Sequence, residues 1–375
     1  MLVPLTSVFT ARPARARLAA AAALAGVLAV AGCGTSPSGS PVATFHAPPS
    51  PAVSGSASPG GASPSTAPGG DITLNFAGDV HFEDRVAKLL DDPSSTFGPI
   101  VSTLSNADLT MVNMETAVTS RGTAQPKEFH FRTTPVAFNA IKAAGIDVVT
   151  LANNHVLDYG QVGLADTLTA VRAAKFPYVG IGNNATEAWT PYIADVKGKK
   201  IAILGVSQVD ELQSTWVATD TRPGEAHAID QTRTLNAIKA AKQKADLVLV
   251  FMHWGTEGNG CPNAAQKALA PKMAAAGADI IIGAHAHTLQ GSGWLGKTFV
   301  AYGMGNFLWW MNSYSTETGI LHLTLHPNAP LTSEFIPAIV SSTGQPVLAT
   351  GADKDRIANR YASLRACAGL SATPS

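Results

Sequence analysis

Charge of one sign is nowhere in excess in this chain. Lysine and arginine total 26, aspartate and glutamate also 26, and no basic run stands out. A surface that tracks a phosphate backbone needs such a run, so nucleic acid is excluded as the expected partner. A long hydrophobic run is also missing. The most apolar early stretch, residues 18–30, is too short for a comfortable membrane span. Gly303-Met304-Gly305 lacks the helix and the lysine of a P-loop, which excludes that kind of phosphate cradle. Cysteine is scarce, with three in 375 residues, and no internal repeat is found. What remains is 46% hydrophobic and 14% charged, enough for one large domain or two small ones.

The amino terminus reads as an export signal, outside the fold. Arg12, Arg15 and Arg17 form a positive segment, residues 18–30 an Ala- and Leu-rich one, and Val30-Ala31-Gly32-Cys33 closes it. Small residues before a cysteine look like a bacterial lipobox, in which Cys33 is lipidated. The alternative is an ordinary secretory signal with a chance cysteine. Lipidation predicts anchoring to the outer face of the bacterial cytoplasmic membrane. Residues 34–70 are Pro, Ser, Gly and Ala with almost no charge, cannot bury a core, and read as a tether. The expected organisation is a signal over 1–33, a linker over 34–70, a folded domain over 71–345, and a helix and tail over 346–375. Cys261 and Cys367 are an even remainder in an exported chain. They read as one disulfide, or as two unpaired thiols.

Within the folded region, apolar runs end repeatedly in side chains that bind metals. Residues 280–282, after Asp279, are a β-branched run closed by Gly283, where the backbone is expected to turn, and His285 and His287 follow. Residues 72–77 lead to Asp79 and His81, 107–112 to Asn113 and Glu115, and 146–151 to Asn153, Asn154 and His155. Residues 247–252 lead to His253 and Glu257, and 299–302 to Asn306. Helical stretches over 137–144, 164–174, 236–245 and 264–275 alternate with these strands, which indicates an α/β fold with its site at the carboxyl ends of strands. The strand over 320–325 is expected to complete a second sheet. The sequence past Pro327 is weakly patterned until a helix over 353–366. Taken singly, each polar residue has an ordinary explanation: a capping aspartate, a loop carboxylate, a core histidine. Their recurrence at strand ends argues for one site.

The ligand types divide between two divalent cations, Mn, Zn or Fe. Asp79, His81 and His287 are expected on the first, and Asn154, His253 and His285 on the second, with Glu115 bridging. His155, one residue past Asn154, points elsewhere and is the candidate general acid. A bridged pair of this kind suits in-line displacement at a phosphoester.

The order Gly78-Asp79-x-His81, Asn113-x-Glu115, Asn153-Asn154-His155, His253-Trp254-Gly255 and Gly283-x-His285-x-His287 resembles calcineurin-type metallophosphoesterase sites. Its spelling is similar to the CapA (poly-γ-glutamate capsule synthesis) branch, where Glu115 stands for the usual bridging aspartate. Asp158-Tyr159-Gly160, Thr256-Glu257 and Gly305-Asn306-Phe307 extend the likeness over residues 71–325. The resemblance implies a four-layer α/β/β/α sandwich of metallophosphoesterase type with its site at one edge of the sheets. It implies catalytic roles for Asn154 and His155 and substrate-binding roles for Glu257 and Asn306. It also implies work on an anionic capsule polymer beside the capsule synthesis machinery. Two functions fit. One is a surface-tethered, metal-dependent phosphoester hydrolase. The other is a non-catalytic accessory that binds or anchors an anionic envelope polymer.

Overall fold

Side-chain alternation along the strands decides how this chain stacks into layers. A computed structural model describes residues 70–375. The expected signal peptide, Cys33 and the linker up to residue 69 lie outside the described residues. The strands of the two large sheets are β1 (Ile72–Val80), β2 (Leu109–Met114), β3 (Val148–Thr150), β4 (Tyr178–Val179), β5 (Tyr192–Val196), β6 (Lys199–Ser207), β7 (Leu247–Trp254), β8 (Ile280–His285), β9 (Leu289–Leu295), β10 (Thr298–Met304), β11 (Asn306–Leu308), β12 (Glu317–Leu325), β13 (Thr332–Val340) and β14 (Pro346–Leu348). The longer helices are α1 (Val136–Ala143), α2 (Gly160–Ala173), α3 (Gln231–Lys242), α4 (Ala264–Ala276) and α5 (Gly351–Ala368).

The first sheet has the order β14-β13-β12-β1-β2-β3-β4, with β11 also paired to β1; the second has the order β9-β10-β8-β7-β6-β5. The central strands β1, β2 and β3 are mutually parallel, as are β6, β7, β8 and β10. On β7, Leu249 and Phe251 face the gap between the sheets, where they join Leu74 and Phe76 of β1. Val248, Val250 and Met252 face the other way, onto Ile238 of α3 and Leu269 and Met273 of α4. On the far side of the first sheet, Val112 and Val149 pack on Phe138 and Ile141 of α1 and on Leu164 and Leu168 of α2. Strands covered on both faces are apolar throughout, and the result is four layers, α/β/β/α. Full burial of a side chain such as Phe251 contributes about 1.5–3 kcal/mol.

Two expectations change here. The strand over 320–325 joins the first sheet, antiparallel to β1. The chain has already crossed between sheets at Gly305, since β10 belongs to the second sheet and β11 pairs with β1. That crossing brings the Gly305 carbonyl oxygen within reach of the Asp79 N–H (2.9 Å) and so close to Gly78 that a Cβ there would stand 1.8 Å away. The sequence past Pro327 supplies two strands, β13 and β14, so the sheet continues past residue 345. The disulfide Cys261–Cys367 fastens α5 to the loop after β7, with the two Cα atoms 5.7 Å apart.

Candidate metal centre

The carboxyl ends of both sheets converge. From the first sheet come Asp79 near the end of β1, Asn113 in β2 and Glu115 just beyond it; from the second come His253 near the end of β7, His285 closing β8, and His287 two residues later. All six are buried. The His285 backbone N–H donates to Asp79 Oδ2 (3.1 Å), joining the two sheets at this point. Asn113 Nδ2 lies 2.8 Å from Asp79 Oδ1, 3.3 Å from Glu115 Oε2 and 3.1 Å from His253 Nδ1. One amide thus braces three ligand-type side chains.

The turn after β8 falls on the histidines and not on Gly283. That glycine lies inside the strand, paired with Met252, and is small because a Cβ would stand 2.0 Å from the Tyr302 carbonyl oxygen. Instead φ is 86° at His285 and 52° at His287. Left-handed backbone costs a non-glycine residue about 1–3 kcal/mol and persists where the surroundings over-determine it. Here the outcome is two rings turned toward one carboxylate.

Among the described residues, two groups of buried side chains could hold a metal ion: Glu115, His285 and His287, and Asp79, Glu115 and His253. Within each group the donor atoms lie within 4.8 Å of one another. Glu115 is common to both. The division differs from the one read off the sequence: His285 and His287 stand together, and His253 stands with Asp79.

The donor set fits a divalent cation on three counts. Glu115 Oε1 and His285 Nδ1 are buried with no hydrogen-bond partner among the described residues, a state that proteins avoid. Burial holds His253 and His285 well below the usual imidazole pKa, which keeps them neutral and able to donate a lone pair. Burial, and after it the neighbouring Asp79 carboxylate, pushes Glu115 far above the usual carboxylate range. A cation between the two carboxylates removes that penalty. Imidazole with carboxylate suits Zn, Mn or Fe.

The family described as "Bacterial capsule synthesis protein PGA_cap" matches residues 73–309. The chain belongs to that family. It is 29% identical over 297 residues to "Capsule biosynthesis protein CapA" of Bacillus anthracis, a match covering 76% of this chain and 72% of that protein. It is 32% identical over 242 residues to "PGA biosynthesis protein CapA" of Bacillus subtilis (strain 168), covering 63% of each. Among solved structures, a novel phosphatase from Mycoplasma pneumoniae superimposes with a TM-score of 0.46 at 16% identity, covering 72% of this chain and 94% of that one.

Around the centre of this PGA_cap-family chain, the other expected residues separate. Asn154 Oδ1 lies 2.8 Å from His253 Nε2, at the rim of the second group. His155 Nδ1 lies 2.6 Å from Asp158 Oδ2, and its Nε2 faces Glu115 Oε1 at 3.7 Å. Its ring stacks on Phe131 with centroids 3.9 Å apart. Asn306 Oδ1 lies 2.9 Å from His287 Nδ1, so Asn306 orients that ring. Glu257 accepts a hydrogen bond from the Tyr314 hydroxyl (2.7 Å) and stands 3.9 Å from His287 Nε2. His81 is not brought into either group. Its Nδ1 faces the Glu83 backbone N–H and its Nε2 that of Trp310, both at 3.2 Å. Its ring is stacked on Phe131 and edge-on to Trp309. A neutral ring can accept only one of these N–H groups; with both nitrogens turned to backbone, it reads as a packing histidine.

Sequence reasoning missed Lys127. Its side chain is 2% exposed, and Nζ lies 3.0 Å from Asp158 Oδ1 and 2.9 Å from Glu211 Oε2. It also donates to the Asn154 carbonyl oxygen. A lone lysine in the polar stretch Gln125-Pro126-Lys127-Glu128 carries no signal of burial.

Proposed function

We propose that this chain is a metal-dependent phosphoester hydrolase of capsule-polymer synthesis, exported and lipid-anchored through Cys33. The observation that carries the hydrolase reading is Glu115, a buried carboxylate common to two ligand groups, with one oxygen left without a partner. Glu115, His285 and His287 would hold one cation; Asp79, Glu115 and His253, with Asn154 at the rim, would hold a second. When bound, such cations neutralise phosphoryl charge and make water nucleophilic near neutral pH.

The chain's own residues do the rest. Asp158 fixes the His155 ring through Nδ1, which leaves Nε2 as the atom through which this ring would take up and pass on a proton during the reaction. Asn113 and Asn306 keep the ligand side chains in register before substrate arrives, so little reorganisation is needed at the moment of reaction. Phe131, packed against His155, keeps water off one face of that ring.

The capsule setting is supported by the names its relatives carry, "capsule biosynthesis" and "PGA biosynthesis". It suggests an anionic polymer or its phosphoester precursor as substrate and the synthesis machinery as partner. Export is supported by the Cys261–Cys367 bridge, which suits an oxidising compartment. The test is the purified chain loaded with Mn or Zn and offered p-nitrophenyl phosphate and bis(p-nitrophenyl) phosphate. Metal-dependent release of nitrophenol is expected. A fully loaded protein that turns over neither compound leaves the polymer-binding accessory as the reading.

A further inference from the structure

Beside the metal centre lies a second polar cluster, built on Lys127 and Glu211, two side chains that the proposed chemistry does not use. Lys127 Nζ sits at its floor. An ammonium has three N–H donors. Nζ donates to the Asn154 carbonyl oxygen and lies at ion-pair distance from Asp158 Oδ1 (3.0 Å) and Glu211 Oε2 (2.9 Å). The first two partners belong to the buried wall, since Asp158 is fully enclosed and also accepts the Phe131 N–H (2.6 Å). Glu211 is different. It comes from the loop between β6 and the short helix Gln213–Trp216, and its side chain is 34% exposed while that of Lys127 is 2% exposed. Asn154 Nδ2 faces the same Glu211 oxygen at 3.4 Å. The Trp216 ring, 5.2 Å from Nζ, carries an indole N–H with no acceptor among the described residues.

Asn154 thus has two faces: its Oδ1 meets His253 at the metal centre, and its Nδ2 meets the carboxylate held by Lys127. We propose that Lys127 and Asn154 Nδ2 form a carboxylate-recognition subsite next to the metal centre, filled in the free protein by the side chain of Glu211. The substrate then carries a carboxylate a short spacer away from the group bound at the metals, and that carboxylate displaces Glu211. The exchange conserves charge: one carboxylate leaves the ammonium and another takes its place. A neutral group in the same position would leave a buried ammonium donor unmade, so the subsite discriminates by charge as well as shape. Lys127 is therefore a specificity-determining residue, and Glu211 a built-in competitor.

The inference deepens the hydrolase reading, but it can be tested without turnover. The Mn-loaded full chain is titrated with glutarate by calorimetry, as wild type, Glu211→Ala and Asp210→Ala. Asp210 is the exposed neighbouring carboxylate of the same loop and pairs with Gln213, so its removal controls for a general loss of negative charge. Glutarate is expected to bind about tenfold tighter to Glu211→Ala, and about as in wild type to Asp210→Ala. Adding Lys127→Met to Glu211→Ala is expected to cancel the gain. If that double variant does not fold, the two alanine variants still decide. An unchanged affinity in Glu211→Ala, or an equal gain in both single variants, overturns the subsite. p-Nitrophenyl phosphate carries no carboxylate, so its hydrolysis tests the metal chemistry separately. A glutarate gain without that hydrolysis sinks the hydrolase and keeps the subsite; hydrolysis without the gain does the reverse.

Discussion

Glu115 Oε1 and His253 Nε2 face each other at 3.6 Å across the junction of the two sheets, both fully buried. A carboxylate with a strongly raised pKa beside a neutral imidazole is a poor arrangement for an empty core and a good one for a cation. Glu115→Gln keeps the shape and removes the charge. In chelator-treated protein it is expected to raise stability by about 1–2 kcal/mol, or about 2–8 °C in Tm. In metal-loaded protein it is expected to abolish the metal-dependent rise in Tm and to lower metal content by elemental analysis. Thermal melts with and without Mn check both halves.

In chelator-treated protein each buried histidine should lose its stabilising contribution in acid, and the sign follows from the shifts. Burial lowers His81, His155, His253 and His285 below their unfolded value of 6.5. Below that pH the unfolded chain takes up protons that the folded one refuses, so each histidine's contribution is present above 6.5 and is lost as pH falls. Glu115, Asp158 and Glu225, all raised by burial, work the other way, so one ring is read from a difference. The stability advantage of wild type over His253→Gln is expected to shrink as pH drops from about 6.5 toward 5. Urea midpoints of the two proteins at successive pH values measure it; an advantage that grows on acidification would contradict the burial of that ring.

Asp158 is raised by burial to about 7. Below that pH it is protonated and holds the His155 ring less firmly. kcat/KM on p-nitrophenyl phosphate is therefore expected to show an acid limb near pH 7, and Asp158→Asn to abolish that limb. His155→Gln is expected to cut kcat by about 10²–10⁴ with metal content unchanged. A fall in metal content alongside the rate would move His155 from proton transfer to metal binding.

The parts of this site legible in the sequence were those where a residue of metal-ligand type ends an apolar strand. Asp79, Glu115, His253, His285 and His287 all qualify; the α/β class was legible from the apolar runs, while the four-layer order came from the family resemblance. Sequence order does not say which strand ends become neighbours, so the grouping of His285 with His287 and of His253 with Asp79 had to come from the fold. His81 and His287 are the same residue type at equivalent strand ends; only the backbone N–H groups of Glu83 and Trp310 and the rings of Phe131 and Trp309 separate them. Lys127 was illegible because its burial arises from the loop carrying Glu211 and from Trp216, which lie far away along the chain. β13 escaped notice because it is half exposed and lacks a clean alternation.

The disulfide gives the last prediction. Cys261 and Cys367 close a loop with a sequence separation of 106. For a loop of that size, chain entropy gives about 4–5 kcal/mol, and measured losses are commonly about 2–5 kcal/mol. The bridge fastens α5 beside the loop that carries Glu257, the partner of Tyr314. Cys367→Ser should therefore lower the unfolding free energy by about 2–4 kcal/mol. It should also speed hydrogen exchange in residues 256–263 more than in β7, which is fixed by β6 and β8 on either side. Equal exchange in the two segments would mean that the bridge holds the terminal helix without steadying the rim of the site.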